Sequence, residues 1–313
     1  MERIAGIHSK AWKIIGASVA GTSHIKQHSD CEDARAYKQL ANGSLMLIVA
    51  DGAGSARYSA KGSQVAVDAA LESLEQKLYH QSESTNEDEW EKALEQVIRV
   101  VRTKLEELPI NLQEEYLTIA QSQSGDTEDK PQDIQDVSLT KIHDKSAELE
   151  ETDHEETFQS SEAMIEVPSL HDFATTLLVA AVTPKWIVVA QVGDGAIIVQ
   201  NEKWTFELLT QPNHGEYVNQ TSFITDADFL QQVQYNIKPR LSTLEGMALI
   251  TDGLENLALD FATKTPYQPF FAPLFRFAAC QESTEEELKN FLSSVRVCKQ
   301  TDDDKTLVLA VLI

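Results

Sequence analysis

The sequence predicts an α+β fold, a sandwich of two mainly antiparallel β-sheets with helices in pairs. Three observations lead there. Apolar runs of strand length come in groups, at Leu45–Ala50, then at Trp186–Val192 and Ala196–Gln200, then at Met247–Thr251 and Thr306–Ile313. Two long stretches with helical spacing follow one another after Ser59. The regular strand–helix alternation of a parallel sheet is missing.

Each element has its own signal. Ile14–Ala20 reads as a strand, and Ala34–Tyr37 opens another. Leu45–Ala50 is apolar on both faces, as a central strand is. Over Ser59–Tyr79 the period changes: Val65, Ala69, Leu71, Leu74 and Leu78 recur at helical spacing. Trp90, Leu94, Val97, Ile98, Val101 and Leu105 define a second helix, whose end Pro109 marks. From about residue 120 to 168 the chain is polar and acidic. It lacks the apolar surface that offsets ordering entropy, so it reads as a flexible acidic insertion. Strands resume at Phe173–Val182 and Trp186–Val192, and Ala196–Gln200 with Trp204–Leu209 forms a hairpin. A helix lies near Pro269–Ala279. Another starts at Ser283, which with Glu286 makes a capping box, and its apolar face is Leu288, Phe291, Leu292 and Val295.

Composition narrows the function. Fifty acidic against 26 basic residues give a formal charge of −24. Such a surface disfavours nucleic acid and anionic membranes. Cys31, Cys280 and Cys298 are far apart and form no CxxC, which favours a reducing compartment over a disulfide framework. Met1–Lys10 has no apolar signal core, and no run is long enough to span a bilayer. The expectation is a soluble, cytoplasmic protein.

The chemistry lies in the carboxylates. Three apolar runs each meet an Asp-Gly step: Asp51-Gly52, Asp194-Gly195 and Asp252-Gly253. Glu32-Asp33 stands before Ala34, and Asp302-Asp303-Asp304-Lys305 before the last strand. Singly, an Asp-Gly is a common turn and an acidic run a solvated face. Together, acids at the ends of five apolar segments suggest ligands converging on a hard divalent cation.

In order, GASVAGTSH…CEDA, LIVADGAG, FATTLLVAAV, VAQVGDG, ALITDGL and DDDKTLVLAV resemble the metal-dependent protein phosphatases of the protein phosphatase 2C (PPM) family, and HGEYVNQTSFIT resembles the flap of its bacterial branch. The resemblance implies a four-layer α-β-β-α sandwich, one phosphatase domain over residues 1–313 carrying the insertion. It implies Mn²⁺ or Mg²⁺, two ions with a third in bacterial members. Asp51 aligns with the bridging ligand, the Gly52 carbonyl with a ligand of the first ion, and Asp252 and Asp303 with ligands of the second. Glu32 and Asp33 match the pair that holds metal-bound waters, and Asp194 matches a third-site ligand. The implied reaction is hydrolysis of phosphoserine and phosphothreonine by water activated between ions about 3.5–4 Å apart, with no protein nucleophile.

The chain departs from the family at three positions. His24 stands where many members have the phosphate-binding Arg, with Arg35, Arg57 and Arg240 as other candidates. Ala53 stands where eukaryotic members have a proposed general acid. Asn256 replaces an Asp associated with the third ion. The implied partners are phosphoproteins of a cognate serine/threonine kinase, met by a monomer. Two alternatives stay open: a catalytically weak phosphatase-fold scaffold that binds phosphoproteins, and a hydrolase of small phosphate esters.

Overall fold

The computed structural model describes residues 11–79, 85–124, 167–212, 221–260 and 262–313. The chain divides into two compact units, one of Met1–Pro109 with Ser169–Ile313, the other of Ile110–Pro168. Most of the second, including most of the acidic insertion with His143 and His154, lies outside the described residues, as do His8 and residues 213–220 of the flap.

The larger unit is built on two five-stranded sheets. The first runs β1 (Trp12–Val19), β10 (Lys305–Leu312), β9 (Leu244–Ile250), β6 (Ala196–Asn201), β7 (Thr205–Thr210). The second runs β2 (Ala34–Gln39), β3 (Leu45–Ala50), β4 (Leu177–Val182), β5 (Trp186–Val192), β8 (Gln234–Pro239). Every pairing is antiparallel. The period-2 alternation explains why the central strands are apolar throughout. In β10, Val308 and Ala310 enter the core between the sheets, with Leu47, Val49, Leu178 and Met247. Leu307, Leu309 and Val311 point the other way, onto a helical layer. That layer holds α5 (Gln268–Ala279) and α6 (Glu285–Leu292), which bury Phe271, Phe275, Leu288 and Leu292. On the far side α2 (Ser59–Tyr79) packs on β2 and β3. The result is the four-layer α+β sandwich that the sequence suggests.

Some elements differ from their sequence signals. Pro109 does not end its helix, for α3 runs Glu87–Ser124 with the proline inside. A proline removes one backbone donor, not the rest of the ladder. What stops there is the buried stripe: Trp90, Leu94, Val101, Leu105 and Leu108 are buried, and Ile110 is exposed. The expected strand Phe173–Val182 is shorter, because Leu170–Phe173 forms a 3-10 turn and β4 starts at Leu177. The capping box is one residue later than expected. Thr284 Oγ1 accepts from the Glu287 amide at 3.2 Å, and the Glu287 carboxylate accepts from the Thr284 amide at 2.9 Å. The chain offers that spacing in two adjacent frames, and Ser283 is already bonded to the Cys280 carbonyl at 2.7 Å and to Lys13 Nζ at 2.7 Å. Val295 is exposed at the start of α7 (Val295–Cys298) rather than on the buried face of α6. Three elements had no clear signal, β8, the short α1 (Thr22–Gln27) and the short α4 (Glu255–Ala258). Among the described residues no helix is long and apolar enough to cross a membrane.

If packing of α3 stops at Leu108, two substitutions separate sharply. Leu105→Ala should cost about 2–5 kcal/mol, and Ile110→Ala should stay within about 0.5 kcal/mol. Urea unfolding of both variants measures the difference; equal losses would contradict the boundary.

Candidate metal centre

The acidic residues converge where strands from both sheets end. Asp51 follows β3 of the second sheet and Asp252 follows β9 of the first, separated from it by Thr251. Asp194 lies where the chain crosses from β5 in one sheet to β6 in the other. One carboxylate oxygen from each of Asp51, Asp194 and Asp252 lies within 4.8 Å of the other two. The crossing requires Gly193, whose φ of +106° is unfavourable for other residues and whose missing Cβ would lie 2.5 Å from the Thr176 methyl.

The glycines of the Asp-Gly steps are there for close approach, not for turning, since none has a positive φ. A Cβ on Gly253 would lie 1.8 Å from the Asp304 carbonyl oxygen, and one on Gly52 would lie 2.8 Å from the Glu32 carbonyl oxygen. Backbone contact at these points lets β9 and β3 bring their acids close to the neighbouring acidic segments.

A buried polar frame fixes each acid. The Asp51 amide donates to Thr176 Oγ1 at 2.9 Å, and its carbonyl accepts from the Thr176 amide at 2.8 Å and Thr175 Oγ1 at 2.9 Å. Gln191, fully buried, donates through Nε2 to the carbonyls of Gly193 and Gly195 at 3.0 and 2.7 Å, on either side of Asp194. Thr221 Oγ1 donates to Asp194 Oδ2 at 2.5 Å. Thr251 Oγ1 donates to Asp33 Oδ2 at 2.9 Å and accepts from the Thr306 amide at 2.9 Å.

The acidic run before β10 is not a solvated face. Asp302 and Asp303 are exposed, but Asp304 and Lys305 are buried. Asp304 Oδ1 accepts from the Gly21 amide at 2.6 Å and faces His24 Nδ1 at 2.8 Å; its Oδ2 accepts from the Glu32 amide at 2.5 Å. This carboxylate therefore ties together the start of α1, His24 and the Glu32-Asp33 pair. Facing a carboxylate that already accepts two amides, Nδ1 is the donor, and the protonated ring has a second donor at Nε2. His24 Nε2 lies 3.9 Å from Glu32 Oε1. Burial lowers the affinity of His24 for a proton, but the Asp304 hydrogen bond and the charges of Asp304, Glu32 and Asp303 outweigh it and raise its pKa.

Asp303 is outside the close trio. Its Oδ1 accepts from the Asp304 amide at 2.9 Å, and its charge acts on Asp252. Asn256 is exposed on α4 (Glu255–Ala258). Of the three arginines, Arg240 donates to the Thr183 carbonyl and lies over Trp12, at the end of β5 opposite Asp194. Arg57 lies over Tyr58, and Arg35 donates to Ser18 Oγ and faces Glu285.

Crowded, buried carboxylates hold protons. Burial, then the charges of Asp33 and Asp252, raises Asp51 well above the usual carboxylate range. Burial, then the charges of Asp194 and Asp303, pushes Asp252 up to about 7. Burial pushes Asp33 up to about 8, against the Thr306 and Thr251 hydrogen bonds. Asp33 Oδ1 and Glu32 Oε2 are buried and have no hydrogen-bond partner among the described residues. Oxygen donors, several of them anionic and two unsatisfied, suit a hard divalent cation. The site fits one.

This fold and acidic centre suit a metal-dependent phosphatase. The chain belongs to the protein phosphatase 2C family: the family model described as Protein phosphatase 2C matches residues 20–293. It is 31% identical to serine/threonine-protein phosphatase 3 of Escherichia coli (strain K12) over 310 residues, covering 96% of this chain and 98% of that protein. Solved structures share the fold. Serine/threonine phosphatase Stp1 from Staphylococcus aureus aligns with a TM-score of 0.53 at 16% identity, covering 99% of this chain and 100% of that one. A bacterial serine phosphatase aligns with a TM-score of 0.52 at 18% identity, over 96% of this chain and 98% of that one.

The raised pKa values set a sign. Without a cation the folded chain holds protons on Asp252 and Asp33 that the unfolded chain, with ordinary carboxylates, has released. The contribution of these two groups to stability falls as pH rises from about 4 through about 8. A divalent cation competes with those protons. The rise in Tm on adding Mg²⁺ should therefore be larger at about pH 8 than at about pH 6. Differential scanning fluorimetry reads it, and an equal or smaller rise at the higher pH would contradict proton–cation competition.

Proposed function

We propose that the chain hydrolyses phosphoserine and phosphothreonine in proteins, using Mn²⁺ or Mg²⁺ held by its acidic centre. The observation that carries this is the convergence of Asp51, Asp194 and Asp252 from strands of both sheets. Two ions are proposed, with a third at Asp194. Asp51, the Gly52 carbonyl, Asp252 and Asp303 are proposed as protein ligands, and Glu32 and Asp33 as acceptors for water around the ions. Bound there, the cations would supply Lewis-acid polarisation of the phosphoryl group and a water acidic enough to attack near neutral pH.

The remaining work belongs to the chain. His24 is proposed to bind the substrate phosphate in its protonated form: Asp304 orients the imidazolium through Nδ1, and Nε2–H donates to a phosphate oxygen. The rigid strand ends hold the acids in place before substrate arrives, so little reorganisation is needed at the reacting centre. No side-chain nucleophile is assigned; the water oxygen bonds to phosphorus as the bond from phosphorus to the serine or threonine oxygen breaks, and a proton from the water passes, directly or through solvent, to that oxygen, giving the alcohol and inorganic phosphate. The substrates are taken to be phosphoproteins of a cognate serine/threonine kinase, met by a monomer in the cytoplasm, a setting that the free Cys31, Cys280 and Cys298 suit. Asp51 and Asp252, retained and brought together, argue against a scaffold that binds without turnover.

Phosphate release from a panel of phosphopeptides, with and without Mn²⁺, tests the proposal. Activity should require the cation, and Asp51→Asn or Asp252→Asn should lower kcat/KM by about 100-fold or more. Undiminished turnover after exhaustive chelation would contradict it.

A further inference from the structure

Arg102 lies on α3, outside the acidic centre, yet its guanidinium reaches the segment beside it. Nη1 donates to the carbonyls of Ile224 and Asp226 at 2.8 and 2.9 Å. Nε donates to Glu106 Oε1 at 2.7 Å, and the guanidinium carbon lies 5.2 Å from the centroid of the Phe229 ring. The side chain is only 16% exposed. The pair with Glu106, whose own side chain is exposed one helical turn on, contributes little by itself. Two carbonyls, a carboxylate and an aromatic face met by one planar group are a different matter. A lysine ammonium cannot reproduce that geometry.

The segment that Arg102 holds is bound on its other side to the acids. The buried Ile224 donates its amide to the Thr175 carbonyl at 2.9 Å, and Thr175 Oγ1 donates to the Asp51 carbonyl at 2.9 Å. Thr221 donates to Asp194. Asp226 closes the segment locally, its Oδ2 accepting from the Phe223 amide at 2.8 Å. Thr221–Asp226 is therefore clamped between α3 and the proposed reacting centre.

We infer that Arg102 is a specificity-determining positioning residue that fixes Thr221–Asp226 as a wall on which the polypeptide around the phosphoresidue rests. The inference rests on the hydrolytic reading above. An aryl phosphate ends at its ring. A peptide continues on both sides at about 3.3 Å per residue, and must meet whatever stands beside Asp194. Loss of the clamp therefore weakens peptide binding and leaves the cation-dependent chemistry on a small ester in place.

The test uses Arg102→Met, which keeps an apolar stem against Phe229, Arg102→Lys, which keeps the charge, and Glu106→Gln, which leaves the carbonyl bonds intact. Hydrogen exchange is followed over Ser222–Asp226. Steady-state kinetics with Mn²⁺ are measured on a phosphopeptide and on p-nitrophenyl phosphate. In Arg102→Met the amides should exchange about tenfold faster and KM for the phosphopeptide should rise about tenfold, the factor set by about 1.4 kcal/mol. Both kinetic constants for the aryl ester should stay within about twofold, and kcat for the peptide should change less than its KM. Arg102→Lys should be intermediate and Glu106→Gln like the parent. Unchanged exchange, or equal losses on both substrates, would overturn the inference. If the parent hydrolyses neither substrate, the hydrolytic reading and the specificity role fall together, while exchange alone still decides whether Arg102 holds the segment.

Discussion

Concentrated like charge at one end of a hydrophobic sandwich is the constraint on which this molecule turns. Three aspartates offer oxygens within 4.8 Å of one another, and Asp33 is buried beside them. Such a group resists ionisation unless positive charge compensates it. The sheets provide the rigidity that keeps the acids together despite this repulsion. Leu47, Val49, Leu178, Met247 and Val308 fill the space between the sheets, so neither Asp51 nor Asp252 can retreat without moving a packed strand.

Around the acids stands a frame that carries little charge of its own. Thr175 and Thr176 hold the backbone of Asp51, Gln191 holds the carbonyls flanking Asp194, and Thr251 holds Asp33. Asp304 is the exception. Its carboxylate accepts two amides and pairs with His24, so the start of α1 and the Glu32-Asp33 pair, both more than 270 residues earlier in the chain, share one anion. Hydrogen bonds to a charged acceptor are stronger than neutral ones. The acidic centre is thus oriented by a second layer that includes an acid of its own.

Much of this was legible in the sequence, for identifiable reasons. Leu45–Ala50 had to be central because it is apolar on both faces, and of the acids standing at strand ends Asp51, Asp194 and Asp252 do meet. Other parts were hidden. Pro109 looked like a helix end because sequence shows a missing donor, while the structure shows that only the buried stripe stops there. DDDK could not reveal which of its members turn inward, since Asp303 and Asp304 are adjacent and differ only in what lies opposite. The Thr-Thr of FATTLL, Gln191 and Arg102 carry no signal of their own. Thr176 and Arg102 reach partners more than 120 residues away, Asp51 and Ile224, and Gln191 is identified only by the carbonyls of Gly193 and Gly195 that the crossing turns toward it. β8 lacks the apolar alternation that reveals a strand, being partly exposed along most of its length.

Crystals grown with Mn²⁺ and recorded at the manganese absorption edge would test the central claim most directly. A cation shared by the strand ends predicts anomalous peaks within coordination distance, about 2.2 Å, of Asp51 and Asp252 oxygens. Manganese found only at surface carboxylates, with Asp51 and Asp252 lacking any peak between them, would contradict it.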